Sequence, residues 1–141
     1  MKIGEYIYAK THAEFLNELL GTDYKAWMKS SIMLSDEKRL WMIDLGSFVT
    51  PSGWQNVLIG NNKISEKHIA KDFAFENHNT YWGAKEARKE WGPDTRVVFD
   101  IVKTSCSRKY IFRGVFRLNK EESSVRENVW DLIRDEYTPV K

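Results

Sequence analysis

The strongest pattern in the chain lies in residues 96–118. Two apolar runs, Arg96-Val-Val-Phe-Asp-Ile-Val102 and Lys109-Tyr-Ile-Phe-Arg-Gly-Val-Phe-Arg-Leu118, flank the polar linker that begins Lys103-Thr-Ser-Cys-Ser. Runs of Val, Ile, Phe and Tyr around a short polar stretch predict a β-hairpin. Each run is mostly apolar, so at least one face of the hairpin is expected to be buried, with the rest of the chain wrapped on it.

The remaining pattern places elements around this floor. Residues 3–9 read as a short strand. Thr11 and Glu14 stand at capping-box spacing ahead of Phe15, Leu16, Leu19 and Leu20, and Gly21 follows as a stop, which predicts a helix over 12–20. Residues 24–34 fit either a short helix or a loop entering a strand. Arg39–Leu45 is a nearly continuous apolar strand. Gly46–Asn62 is broken by Pro51, Gly53 and Gly60, with a short strand at Trp54–Ile59 between the breakers. Residues 63–71 carry an apolar beat at Ile64 and Ile69 and allow another short element. Residues 72–83 read as a surface loop. Strong helix formers from Ala84 to Trp91, stopped by Gly92-Pro93, predict a helix over 84–91. A second capping box at Ser124 and Glu127, followed by Val129, Leu132 and Ile133, predicts a C-terminal helix over 124–136. The sum is a single α+β domain over 1–141, with a curved, mostly antiparallel sheet or small β-barrel and flanking helices.

Composition narrows the function classes. The chain has 141 residues, 42% hydrophobic and 30% charged, which is enough for one core. With 22 basic and 20 acidic residues its formal charge is +2, so any nucleic-acid contact must come from local clustering. The single cysteine, Cys106, excludes an intrachain disulfide and fits a reducing cytoplasm. The start lacks a long apolar stretch, and no run approaches the roughly 18 apolar residues of a membrane span, so neither a signal peptide nor a membrane partner is expected.

Catalytic constellations are sparse. His12, His68, His78 and Cys106 are not paired at ligand spacing, so no metal site is expected, and no cofactor or nucleophile motif is present. Asp94, Asp100 and Lys103 loosely follow the acid–acid–lysine pattern of divalent-metal nucleases. However, the two acids are close in sequence, and Asp100 and Lys103 would face opposite sides of a regular strand. No catalytic residue is assigned, although the reading as a small metal-dependent nuclease stays open.

The aromatic and basic residues carry more information. Of six tryptophans, Trp54 and Trp82 lie in polar, irregular stretches, beside Gln55 and Asn56 in the first case and Asn77, His78 and Asn79 in the second. A flat base needs ring faces to stack on and amides to read its edge. Either tryptophan could instead cap the end of a sheet. Trp27, Lys29 and Ser30 could line the same cleft. Basic residues concentrate between Lys85 and Arg117, and Arg108, Lys109 and Arg113 on the hairpin are candidates for phosphate contacts. A plain solvated surface is the competing reading.

The order of these motifs resembles the PUA-like superfamily, especially its EVE and YTH branches. Leu40-Trp-Met-Ile43 resembles the first strand of the EVE pattern and Ser52-Gly-Trp-Gln-Asn56 its loop. Arg96-Val-Val-Phe99 resembles the third element and Phe112-Arg-Gly-Val-Phe116 the fourth. The chain also resembles domains that accompany nucleases in bacterial modification-dependent restriction proteins. The resemblance covers residues 38–120, leaving 1–37 as a helical N-terminal extension and 121–141 as a C-terminal helix. Gln55 stands where the pattern has arginine, and Gly92-Pro-Asp94 replaces its usual turn. The resemblance implies a small β-barrel that reads modified bases, with Trp54 and Asn56 lining the pocket. The expected function is therefore non-catalytic binding of nucleic acid, DNA before RNA, with a possible nuclease partner. Two competing readings keep the same residues in play: a phage or mobile-element protein that inhibits a host partner by protein–protein contact, and a reader of a small nucleotide-like molecule.

Overall fold

The computed structural model describes residues 1–50, 53–68, 94–124 and 127–139, with the backbone alone at Ser47, Phe48 and His68. The helix expected at 84–91, together with Trp82 and His78, lies outside the described residues. The described chain forms β1 (Tyr6–Ala9), α1 (His12–Leu20), β2 (Ser31–Met33), β3 (Lys38–Ile43) and β4 (Gly46–Val49). It continues with β5 (Trp54–Ile59), β6 (Lys63–His68), β7 (Thr95–Lys103), β8 (Arg108–Asn119) and β9 (Glu127–Arg134). All nine strands join one curved sheet in the order β2-β3-β7-β8-β9-β6-β5-β4, with β1 added on β8. Every pairing is antiparallel except that of β3 with β7. The fold is the expected PUA-like α+β class, built as an open, curled sheet.

The local signals explain most elements. The Glu14 amide donates to Thr11 Oγ1 at 3.1 Å, and the Lys10 amide donates to the Glu14 carboxylate at 3.1 Å, which closes the first turn of α1. Gly21 then adopts a left-handed φ of 71° and donates to Asn17 O, ending the helix. Between β5 and β6, Gly60 and Asn61 both take positive φ, as a type I′ hairpin turn requires. The β7–β8 hairpin pairs Lys103 with Arg108 and turns through Thr104–Ser107, where the Thr104 hydroxyl and amide both donate to Ser107 O.

Two apolar clusters lie on opposite faces of β3 and β7. Phe15, Leu16 and Leu19 of α1 pack on Leu40, Met42, Val97, Phe99, Tyr110 and Phe112. The Phe15 and Tyr110 rings stack at 4.1 Å. On the other face Trp41, Ile43, Val98, Phe116, Leu118, Ile64 and Trp130 fill the inside of the curl. Strands buried on both faces read as continuous apolar runs, which is why β3 and β7 stand out in the sequence.

Two expectations are corrected. The segment expected as a helix at 124–136 is strand β9, paired with both β6 and β8. Its inward set is Asn128, Trp130 and Leu132, at period 2. The polar Asn128 inside and the apolar Val129 and Ile133 on the other side disguised that alternation as a helical one. Glu127 is not a capping residue. It accepts a hydrogen bond from the Ser65 hydroxyl. Residues 1–37 are also not a purely helical extension, since β1 and β2 are strands of the same sheet. Of the two readings of residues 24–34, the loop entering a strand is the one observed: residues 24–30 form no helix and lead into β2, and Asn17 bonds to both the amide and the carbonyl of Tyr24 to hold that segment.

Gly114 sits where β8 passes β9 with a φ of 124°, and a Cβ built there would lie 2.3 Å from Leu132 Cδ1 and 3.1 Å from Arg134 O. Both the backbone and the space demand glycine. Gly114→Ala is therefore expected to destabilise the domain by about 2–3 kcal/mol, measurable as a lower denaturant midpoint at unchanged m-value.

Candidate functional site

A cleft of about 890 Å³ opens between β3–β7 and β5–β6. Its lining follows from strand alternation. Trp54 and Asn56 are two apart on β5 and share one face, while Gln55 between them belongs to the other. Arg39, Trp41 and Ile43 are likewise the inward set of β3, and Ser30 and Ser31 enter from the start of β2. His12, Lys103 and Arg108 complete the rim near the hairpin. Thr50 braces Trp54: the Trp54 amide donates to Thr50 Oγ1 at 3.0 Å, and the Thr50 amide donates to Trp54 O at 2.8 Å.

Polar groups cluster at the floor. Asn56, Glu66 and Asn128 are register partners across β5, β6 and β9, and all three are buried. Glu66 Oε1 accepts from Trp130 Nε1 at 3.2 Å and from Asn128 Nδ2 at 3.3 Å. Arg96 extends from β7 so that its guanidinium lies 4.5 Å from the Trp41 ring and 4.4 Å from the Trp130 ring. Burial pushes the Glu66 carboxyl above its usual range, while the charge of Arg96 and the two donors pull it back. Asn56 Oδ1 and Asn128 Oδ1 are buried acceptors without a hydrogen-bond partner among the described residues. A buried carbonyl without a donor costs about 1–3 kcal/mol, so such atoms mark a place for a ligand or water.

Only some of the expected site residues meet here. Trp54, Asn56, Ser30 and Arg108 line the cleft. Trp27 packs with Tyr24 at 5.1 Å against the α1 core, away from it. Lys29 is exposed beside Ser30. Lys109 lies on the other face of the hairpin, 4.0 Å from the Tyr6 ring, and Arg113 pairs with Asp100 at 3.3 Å. Trp82 is outside the described residues. The residues of the nuclease pattern are dispersed. Asp94 pairs with Lys120 at 2.9 Å, and Asp100 accepts from the Leu45 amide at 3.0 Å. Lys103 stands nine residues beyond Asp94 along one strand, about 30 Å away. No group of three or more His, Cys, Asp or Glu side chains fit to hold a metal occurs among the described residues. Glu66, Arg39 and Arg96 were not singled out for the pocket. The available signal was an acid in step with Ile64 on β6 and arginines in step with apolar positions of β3 and β7.

The curled sheet has the PUA-like fold of modified-base reader domains. The sequence matches the family model of the SET and RING associated (SRA) domain over residues 1–138, and the chain belongs to that family of DNA-binding, modified-base-reading domains. The solved structure of the 5-hydroxymethylcytosine-specific restriction enzyme AbaSI matches with a TM-score of 0.70 at 20% sequence identity. The match covers 98% of this chain and 42% of that one, so the chain spans less than half of that enzyme's length. At this identity the likeness is one of fold. A search of curated proteins finds no match to the sequence. Among the described residues no helix is long and apolar enough to cross a membrane.

His12 gives the cleft a measurable pH signature. Its Nδ1 shares a 2.8 Å hydrogen bond with Tyr110 Oη, and burial, assisted by the nearby Arg108 charge, lowers its pKa to about 4. Above pH 6.5 the imidazole is neutral both folded and unfolded. Between 6.5 and about 4 the unfolded chain takes up the proton first, so stability falls with pH across that window. The melting temperature is expected to drop from pH 6.5 to 4, and to drop less in His12→Gln, which keeps a partner for Tyr110. Circular dichroism melts at both pH values compare the two.

Proposed function

We propose that this domain reads a modified base in DNA by accepting it, flipped out of the duplex, into the cleft between β3–β7 and β5–β6. The observation that carries this reading is Asn56 Oδ1, without a hydrogen-bond partner among the described residues and buried on the same strand face as Trp54. Trp54 supplies a ring to stack on. The Asn56 carboxamide and Glu66 offer acceptors to an exocyclic amino group, such as the one cytosine carries on its pairing edge. Cytosine modified at C5 is the favoured base because AbaSI, which shares the fold, is a 5-hydroxymethylcytosine-specific enzyme.

Arg108 at the rim and the exposed Lys29 near Ser30 are the candidates to meet phosphates flanking the flipped nucleotide, whereas Lys109 faces Tyr6 and Arg113 is paired with Asp100. Such contacts set affinity and its salt dependence but not base choice. Recognition here would serve cleavage by a nuclease unit outside this chain, consistent with the larger size of the restriction enzyme that shares its fold.

Fluorescence anisotropy with duplexes differing in one cytosine, unmodified or carrying 5-methyl or 5-hydroxymethyl, tests the reading. Tighter binding to a modified duplex is expected. Trp54→Ala should lower that affinity by about ten- to a hundredfold, the worth of one base–aromatic stack, with little change in melting temperature. Equal affinity for all three duplexes in the wild-type protein would overturn it.

A further inference from the structure

We infer that Arg39 is a specificity-determining residue of the cleft, selecting a base whose C5 substituent carries an oxygen anion. The inference rests on the base-reading role proposed above. Arg39 and Arg96 are register partners across the parallel β3–β7 pair, so their side chains leave the sheet on the same side and both line the cleft. Their surroundings differ. Arg96 packs against two touching indoles and lies close to Glu66. Arg39 donates from Nη1 to Ser31 Oγ at 2.8 Å, while its buried Nε has no hydrogen-bond partner among the described residues. It also forms no ion pair with any described acid.

A half-buried guanidinium with a spare donor is costly until an acceptor arrives, and a charged acceptor relieves it most. The described lining as a whole leans the same way. It carries four cationic side chains against two acidic ones, with His12 held neutral at physiological pH.

Position assigns the acceptor to the base. Asn56 and Glu66 stand on β5 and β6, near one end of the strand order, whereas Ser31 and Arg39 stand on β2 and β3 at the other. A pyrimidine held between these walls with its pairing edge toward Asn56 turns its C5 edge toward Arg39. An oxyanion there is either a carboxyl on C5 or a backbone phosphate. The place of Arg39 on the inward face of β3, in step with Trp41, favours the carboxyl. The expected order of affinity is therefore 5-carboxyl, then 5-hydroxymethyl, then 5-methyl.

The test measures binding of the full chain to four duplexes that differ only at one cytosine (unmodified, 5-methyl, 5-hydroxymethyl or 5-carboxyl) at two salt concentrations. The wild-type protein should favour 5-carboxyl over 5-methyl by about tenfold or more. Arg39→Met, which keeps the aliphatic stem, should erase that preference, costing the 5-carboxyl duplex about tenfold more affinity than the 5-methyl duplex. Arg39→Lys should retain part of it. Ser31→Ala, which keeps the charge but frees its position, should weaken the preference and serves as the readout if Arg39→Met does not fold. An equal loss on all four duplexes with a shallower salt dependence would make Arg39 a phosphate contact and overturn the inference. A wild-type preference for 5-methyl, or an unchanged preference in Arg39→Met, would overturn it while leaving base reading intact. A wild-type protein that separates none of the four duplexes would overturn the base-reading role itself, and the inference with it.

Discussion

The guanidinium of Arg96, packed against the touching indoles of Trp41 and Trp130, is the contact on which the curl of the sheet turns. Taking an arginine out of water costs several kcal/mol unless something replaces the lost hydration. Here two ring faces, each worth about 1–2 kcal/mol to a desolvated cation, and the nearby Glu66 charge replace it. The four residues come from β7, β3, β9 and β6. In the strand order β8 separates β7 from β9, so these strands can share one cluster only if the sheet curls until its inner faces meet. The same cluster that forces the curl therefore also forms the floor of the cleft.

That floor is electrostatically mixed, which suits recognition better than stability. Glu66 is held by Trp130 and Asn128 on one oxygen, in surroundings that disfavour its charge. Among the described residues, Asn56 on the neighbouring strand has an acceptor, and Arg39 on the opposite wall a donor, without a hydrogen-bond partner. A plain core would have closed these positions with apolar side chains at lower cost. The clusters on the two faces of β7 differ: the α1 side is tightly stacked, while the inside of the curl carries Asn56 Oδ1 and Asn128 Oδ1, which lack a hydrogen-bond partner among the described residues.

Legibility in the sequence followed the range of the interactions. The cap and stop of α1, the β7–β8 hairpin and the strands at β3 and β5 are set by neighbours within a few residues. Each could be read from spacing alone. Trp54 and Asn56 were expected in the pocket together with Gln55, and the alternation of β5 then turns Gln55 to the other face. Strand β9 was not, since Val129 and Ile133 imitate a helical stripe once the inward partner of Trp130 is a polar Asn128. Trp27 has the composition of a site residue, yet it packs in the α1 core, because Asn17 pins the Tyr24 backbone against that helix. Arg39, Arg96 and Glu66 gave only the weak sign of a charge in step with apolar positions.

By itself the sequence determined an α+β fold, its central hairpin and its one described helix, because short-range hydrogen bonding and alternation govern these; the PUA-like type and the pocket at Trp54 and Asn56 were carried by the resemblance in the order of motifs. Only the tertiary structure decided which charges share the cleft and which partners neutralise them. Glu66 and Asn128 lie 62 residues apart and meet at the β6–β9 pairing, and Arg39 meets Arg96 across a parallel pair that no turn connects. Register between distant strands is fixed by the packing of the whole curl, and no local pattern encodes it.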